Sequence, residues 1–124
     1  MNVVDSSGWL EYFTGGPCAG KFLAALRDTE SLVVPAITIF EVFKVVLREA
    51  GENAAWQAVT AMQKGKVIEL TDRLAVSAAK LSLELGLPMA DSIILATARA
   101  HGARIWTLDA DFADIPGVSY FPRK

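Results

Sequence analysis

The chain has 124 residues, a formal net charge of −2, 52% hydrophobic residues and 21% charged residues. That size predicts a single domain over residues 1–124, and the apolar share excludes a disordered chain, which would carry fewer apolar residues and more net charge. The lone cysteine, Cys18, excludes an intrachain disulfide and a cysteine metal cluster, and makes a reducing cytoplasm the expected compartment.

In chain order, Asn2-Val3-Val4-Asp5 reads as the first strand. Ser6 and Ser7 suit the N-cap of a short helix carrying Trp9, Leu10 and Phe13, which Gly15-Gly16 ends. Pro17 suits the first turn of a second helix, where Ala19, Phe22, Leu23 and Leu26 share one face and Cys18 is a small apolar member. Leu32-Val33-Val34 is the second strand, stopped by Pro35. Thr38 to Glu49 reads as a long helix that is apolar around most of its circumference and ends near Gly51. Asn53 is placed to cap a fourth helix with Trp56, Val59 and Met62. A turn at Lys64-Gly65-Lys66 leads into a strand over Val67 to Leu70. Thr71 or Asp72 caps the next helix, in which Leu74, Ala78, Leu81 and Leu85 align before Gly86. A last helix runs from about Ala90 to His101, with Gly102 as its left-handed stop. Arg104 to Leu108 is a strand, Asp109 to Gly117 a loop, and Val118 to Phe121 a short final strand. This alternation predicts an α/β fold with a mainly parallel sheet. The longest apolar stretch, Val33 to Leu47, is interrupted by Glu41 and Lys44 and is too short to span a membrane. Asp5 and Glu11 stand where a secretory signal would place basic and then apolar residues.

Ligands of open α/β sheets bind beyond the carboxyl ends of the strands, which directs attention to Asp5 and Asp109 at two such ends. Asp5 also suits a helix cap. Glu41 sits in an apolar helix, on one stripe with Lys44 and Arg48; it is either part of a surface ion pair with Lys44 or a carboxylate aimed into a polar cleft. Asp91, in the first turn of its helix, complements the helix dipole, yet it shares a face with Ile94, Leu95 and Ala98, where an unpartnered carboxylate is costly. Asp111 and Asp114 follow Asp109 in the loop; Asp111 is the nearer candidate for a ligand or supporting group. Trp9, Trp56 and Trp106 read as core or interface residues, and His101 as a helix C-terminal residue.

Four segments carry a resemblance: Val3-Val4-Asp5-Ser6-Ser7, Phe40-Glu41-Val42, Met89-Ala90-Asp91 running on to Ala98, and Thr107-Leu108-Asp109-Ala110-Asp111-Phe112. In that order they resemble the PIN-domain family, and in particular the toxin half of VapBC-like toxin–antitoxin pairs; the likeness spans nearly the whole chain. It implies a three-layer α/β/α sandwich with a four- to five-stranded sheet ordered 3-2-1-4-5. It implies Mg²⁺ or Mn²⁺ held by Asp5, Glu41, Asp91 and Asp109, with Ser6 and Thr107 as supporting hydroxyls. It implies an endoribonuclease, with an antitoxin and a second copy of the chain as partners. Lys44 and Arg48, near Glu41 on the helix, are either holders of the RNA backbone or ion-paired and solvated charges. An all-oxygen ligand set suits a hard cation better than zinc. The slight negative charge neither supports nor excludes an RNA substrate, since 10 acids face 12 basic residues once four carboxylates are assigned to a cation. Two other classes stand beside it: a different acid-dependent phosphohydrolase, for which Asp5-Ser6-Ser7 lacks the second early aspartate, and a non-catalytic binding module on the same fold.

Overall fold

The computed structural model describes residues 1–124. Five strands alternate with six helices: β1 (Asn2–Val4), α1 (Ser6–Thr14), α2 (Leu23–Arg27), β2 (Val33–Pro35), α3 (Ala36–Ala50), α4 (Glu52–Met62), β3 (Lys66–Ile68), α5 (Asp72–Leu85), α6 (Met89–Ala100), β4 (Arg104–Thr107) and β5 (Val118–Tyr120). Every strand pair is parallel. The ladders form a three-stranded sheet, β1-β4-β5, and a two-stranded sheet, β2-β3. A bridge between Asn2 and Leu32 joins them, so the strands run in the order 3-2-1-4-5. No single helix is long and apolar enough to cross a membrane.

Consecutive side chains on a strand point to opposite faces, and the valine pairs of β1 and β2 use both. Val4 and Val34 pack with Trp9, Phe22, Val42, Ala58 and Met62, beneath the helices α1 to α4. Val3 and Val33 pack with Ile94, Leu95, Ala98, Ile105 and Phe112, beneath α6. Ala78 of α5 then covers Ile93 and Ala96 on the outer side of α6. The sheet is thus buried on both faces, as parallel sheets are, and the result is the expected three-layer sandwich.

Four local expectations change. The second helix divides into a 3₁₀ turn at Ala19–Phe22 and the short α2; Gly20, a poor helix former, lies within the 3₁₀ turn, and Cys18 precedes both, buried outside any helix. Of the caps that the sequence offers for α1, Asp5 is the one used, its side chain accepting from the Gly8 N–H, and Ser6 and Ser7 are not. Gly51, with φ 90°, replaces Asn53 at the start of α4 and joins α3 to α4 without a loop. Finally, α3 is less enclosed than its composition suggests: only Thr38 and Val42 are buried, while Phe40 is 59% exposed. Phe40, Leu47 and Trp56 instead flank an apolar groove between α3 and α4, completed by Ile39, Phe43, Lys44 and Val59.

Candidate metal centre

The site gathers at the carboxyl ends of β1 and β4. Asp5 follows β1 directly and is buried, 2% exposed. Its Oδ1 accepts the Ser7 hydroxyl at 2.7 Å and the Gly8 N–H at 3.0 Å; its Oδ2 accepts the Thr107 hydroxyl at 2.6 Å. Thr107 closes β4 and its Oγ accepts the Asp109 N–H at 2.8 Å. Asp109 in turn caps the 3₁₀ turn Ala110–Phe112, its Oδ1 accepting the Asp111 N–H at 2.9 Å. Phe112, fully buried, anchors that turn in the core.

Asp91 arrives from the first turn of α6, held by the burial of Ser92 through Ala98 behind it. Carboxylate oxygens of Asp91, Asp109 and Asp111 all lie within 4.8 Å of one another. Glu41 reaches the edge of this site from α3: its Oε1 accepts the Ser6 hydroxyl at 2.7 Å, one residue after Asp5. The structure therefore brings Asp91, Asp109 and Asp111 within the compass of one ion. It pins Asp5 beside them through Thr107 and tethers Glu41 through Ser6.

Burial raises the Asp5 carboxyl to about 6, against three hydrogen bonds that lower it; the charge of Asp109 adds to the rise. Asp91 is pushed up to about 8, first by burial, then by the charge of Asp109 and a hydrogen bond with it, with Asp5 and Asp111 contributing. No cation of the chain relieves this crowding. The one salt bridge in the molecule joins Arg48 to Glu49, at 3.0 Å on the surface. The Glu41–Lys44 pair is absent, because Glu41 turns to Ser6 while the Lys44 ammonium lies 5.8 Å from the Phe40 ring centroid. Neither Lys44 nor Arg48 forms an ion pair with an acid of the site.

Like charges so close, all-oxygen donors and no internal counter-charge fit a hard divalent cation, which takes carboxylate ligands and keeps water in its remaining positions. Sequence reasoning missed Ser7, whose hydroxyl bonds Asp5; a serine opening a helix reads as a cap and nothing more. It placed Asp111 only as an outlying candidate, because loop acids are ordinarily solvated. The neighbouring Phe112, an aromatic residue in that loop and fully buried, was the available signal.

Comparison with known proteins agrees with this geometry. Residues 3–118 match the PIN domain family. The chain is 33% identical to Ribonuclease VapC4 of Mycobacterium tuberculosis over 93 residues, which cover 68% of this chain and 72% of that protein. Among solved structures, it superposes on a chain of a toxin–antitoxin complex from Klebsiella pneumoniae with a TM-score of 0.84 and 27% identity, covering 98% of this chain and 99% of that one. VapC20 of Mycobacterium tuberculosis, described as a sarcin-ricin loop cleaving toxin, shares the fold with a TM-score of 0.81 at 20% identity, over 98% of this chain and 100% of that one. By the match over nearly its full length, the chain belongs to the PIN domain family.

Proposed function

We propose that this chain, acting as one domain, is a divalent-cation-dependent endoribonuclease and the toxin of a toxin–antitoxin pair. The observation that carries the reading is the convergence of Asp91, Asp109 and Asp111, beside a pinned Asp5, with no basic side chain to neutralise them. Similarity to a VapC ribonuclease and to a chain of a toxin–antitoxin complex supports the substrate class and the partner.

In this reading Asp5, Asp91 and Asp109 hold Mg²⁺ or Mn²⁺, Asp111 joins them, and Glu41 completes the acidic ring from α3. Lewis acidity toward the scissile phosphate is what such a cation supplies when bound. The residues of the chain do the rest. Ser6 orients Glu41, and Thr107 orients both Asp5 and the Asp109 backbone. Asp91, protonated at neutral pH without a cation, must give up that proton from its carboxyl for the cation to enter. Lys44, exposed and without an ion pair, is the free cation of α3 for the RNA backbone, whereas Arg48 is shared with Glu49. The exposed apolar side chains of α3 and α4 suit a protein partner, either an antitoxin or a second copy of the chain.

The test is cleavage of a structured RNA with Mn²⁺ or Mg²⁺, with an EDTA control. Wild-type chain should cut only with the cation, and Asp91→Asn and Asp109→Asn should each lose at least ~100-fold, since removing even a hydrogen-bonding partner of a metal ligand costs up to about that much. Near-normal cleavage by both variants would remove the reading.

A further inference from the structure

We infer that Ser7 is a positioning residue of the cation site, fixing the Asp5 carboxylate against the turn that carries Asp109. The inference rests on the metal-centre reading above and extends it to a residue outside the acidic ring.

A serine hydroxyl has one proton and two lone pairs. Here the acceptor-only carboxylate sets the assignment. Ser7 Oγ accepts the Leu108 N–H at 3.0 Å and gives its own proton to Asp5 Oδ1, which can only accept and lies nearer, at 2.7 Å, than the Thr107 oxygen. Thr107 repeats the pattern on the other oxygen: it receives the Asp109 N–H and donates to Asp5 Oδ2. With both protons committed, the 3.3 Å contact between the Ser7 and Thr107 oxygens carries no hydrogen bond of its own. Two consecutive backbone N–H groups, of Leu108 and Asp109, thus reach the two oxygens of Asp5 through two hydroxyls.

This arrangement fixes more than the helix cap would. The Gly8 N–H alone satisfies the cap but ties Asp5 only to its own helix. Ser7, lying on α1 and bonded to Leu108, ties α1 to the residue before Asp109. It therefore sets the separation of two carboxylates that approach the cation from different strands. Counting acceptor positions, Asp5 Oδ1 receives two donors and Oδ2 one, which leaves a position on Oδ2 for a cation. Without the Ser7 hydroxyl the carboxylate keeps two bonds and stays in place, but it is free to rock about its last torsion.

The experiment is calorimetric titration of the folded chain with MnCl₂, alongside thermal melts in EDTA. Ser7→Ala should weaken Mn²⁺ binding about tenfold, in the range seen when a partner of a metal ligand is removed. Ser7→Cys, which keeps the volume but is a weak donor, should match it. Ser7→Thr, which keeps the hydroxyl, should stay within about threefold of wild type, a margin set against that tenfold loss. Wild-type affinity in Ser7→Ala would overturn the assignment and leave the metal-centre reading intact. Equal losses in Ser7→Ala and Ser7→Thr would also overturn it, since packing and not the hydroxyl would then matter. No Mn²⁺ binding by the wild-type chain would overturn both readings together.

Discussion

Asp91→Asn should separate stability from activity in the cation-free chain. The Asp91 carboxyl titrates at about 8 in the fold, against 3.8 when free of it. Between those values the native state holds a proton that the unfolded state releases, so its contribution to stability falls as the pH rises through that window. At pH 8 the unscreened cost would be about 6 kcal/mol, taking 1.36 kcal/mol per pH unit. Solvent reaches part of the side chain, however, and screening reduces the expected figure to about 1–2 kcal/mol. Asparagine has the same shape and no charge to hold, and so should recover it. At about 4 °C per kcal/mol for a chain of this size, the variant should melt ~4–8 °C above wild type at pH 8 in EDTA. The gap should shrink toward pH 5, where the native carboxyl is already neutral. Asp5, raised to about 6, contributes its own slope mainly below that pH, so the segment from pH 6 to 8 reports Asp91. The assay is a set of melts of both proteins across pH 5 to 8 with EDTA. A variant melting at or below wild type at pH 8 would refute the argument that burial and the neighbouring acids together disfavour the charged form of Asp91 in the absence of a counter-charge.

Two further outcomes follow from the supports of the site. Gly8→Ala places a methyl group 2.6 Å from Val4 Cγ1 and 2.8 Å from Phe22 Cε1, both buried, and should cost about 1–3 kcal/mol in urea denaturation through overpacking. Thr107→Val keeps the volume but removes a charge-assisted bond to Asp5 and strands the Asp109 N–H; a loss of about 2–3 kcal/mol by the same assay is expected, with the Asp5 carboxyl pushed further up on NMR titration.

Much of this architecture is legible in the sequence because its signals are local. Gly86 and Gly102 end helices in the left-handed conformation, and Thr71 caps α5 through the Leu74 N–H, as composition alone suggests. The acids at strand ends are equally visible, since an apolar strand followed by Asp5 or Asp109 marks the carboxyl edge of a parallel sheet. What the sequence conceals depends on partners distant along the chain. Ser6 and Ser7 look interchangeable as caps, yet Ser6 reaches Glu41, 35 residues away, and Ser7 reaches Leu108, 101 residues away. Glu41 and Lys44 look like an ion pair because they sit three apart on a helix, but a half-buried hydroxyl competes better for the carboxylate than an exposed ammonium, whose pairing gains little in water. Asp111 depends on Phe112: burying that ring folds the turn back and carries the neighbouring acid toward Asp91. The exposure of Phe40 and Trp56 was illegible for a different reason. Apolar side chains on two consecutive helices look the same whether they fill a core or wait for another molecule.

The strand order explains how a small sheet holds so many acids in one place. Beyond β1 the chain turns into α1, on the face that buries Val4 and Trp9; beyond β4 it turns toward Phe112, on the opposite face. Neighbouring strands whose continuations leave in opposite directions open a crevice at their carboxyl ends, the place where α/β sheets bind ligands. Asp5 and Asp109 stand on its two lips, and the hydroxyls of Ser7 and Thr107 span the gap between them. Asp91 enters from α6 and Glu41 from α3, one from each layer. Asp5, Asp91 and Asp109 are therefore carried by elements already committed to two separate cores, which hold their backbones close together. In a fold built this way the charged form of the buried acids is disfavoured, and protonation or a cation at the crevice relieves that cost.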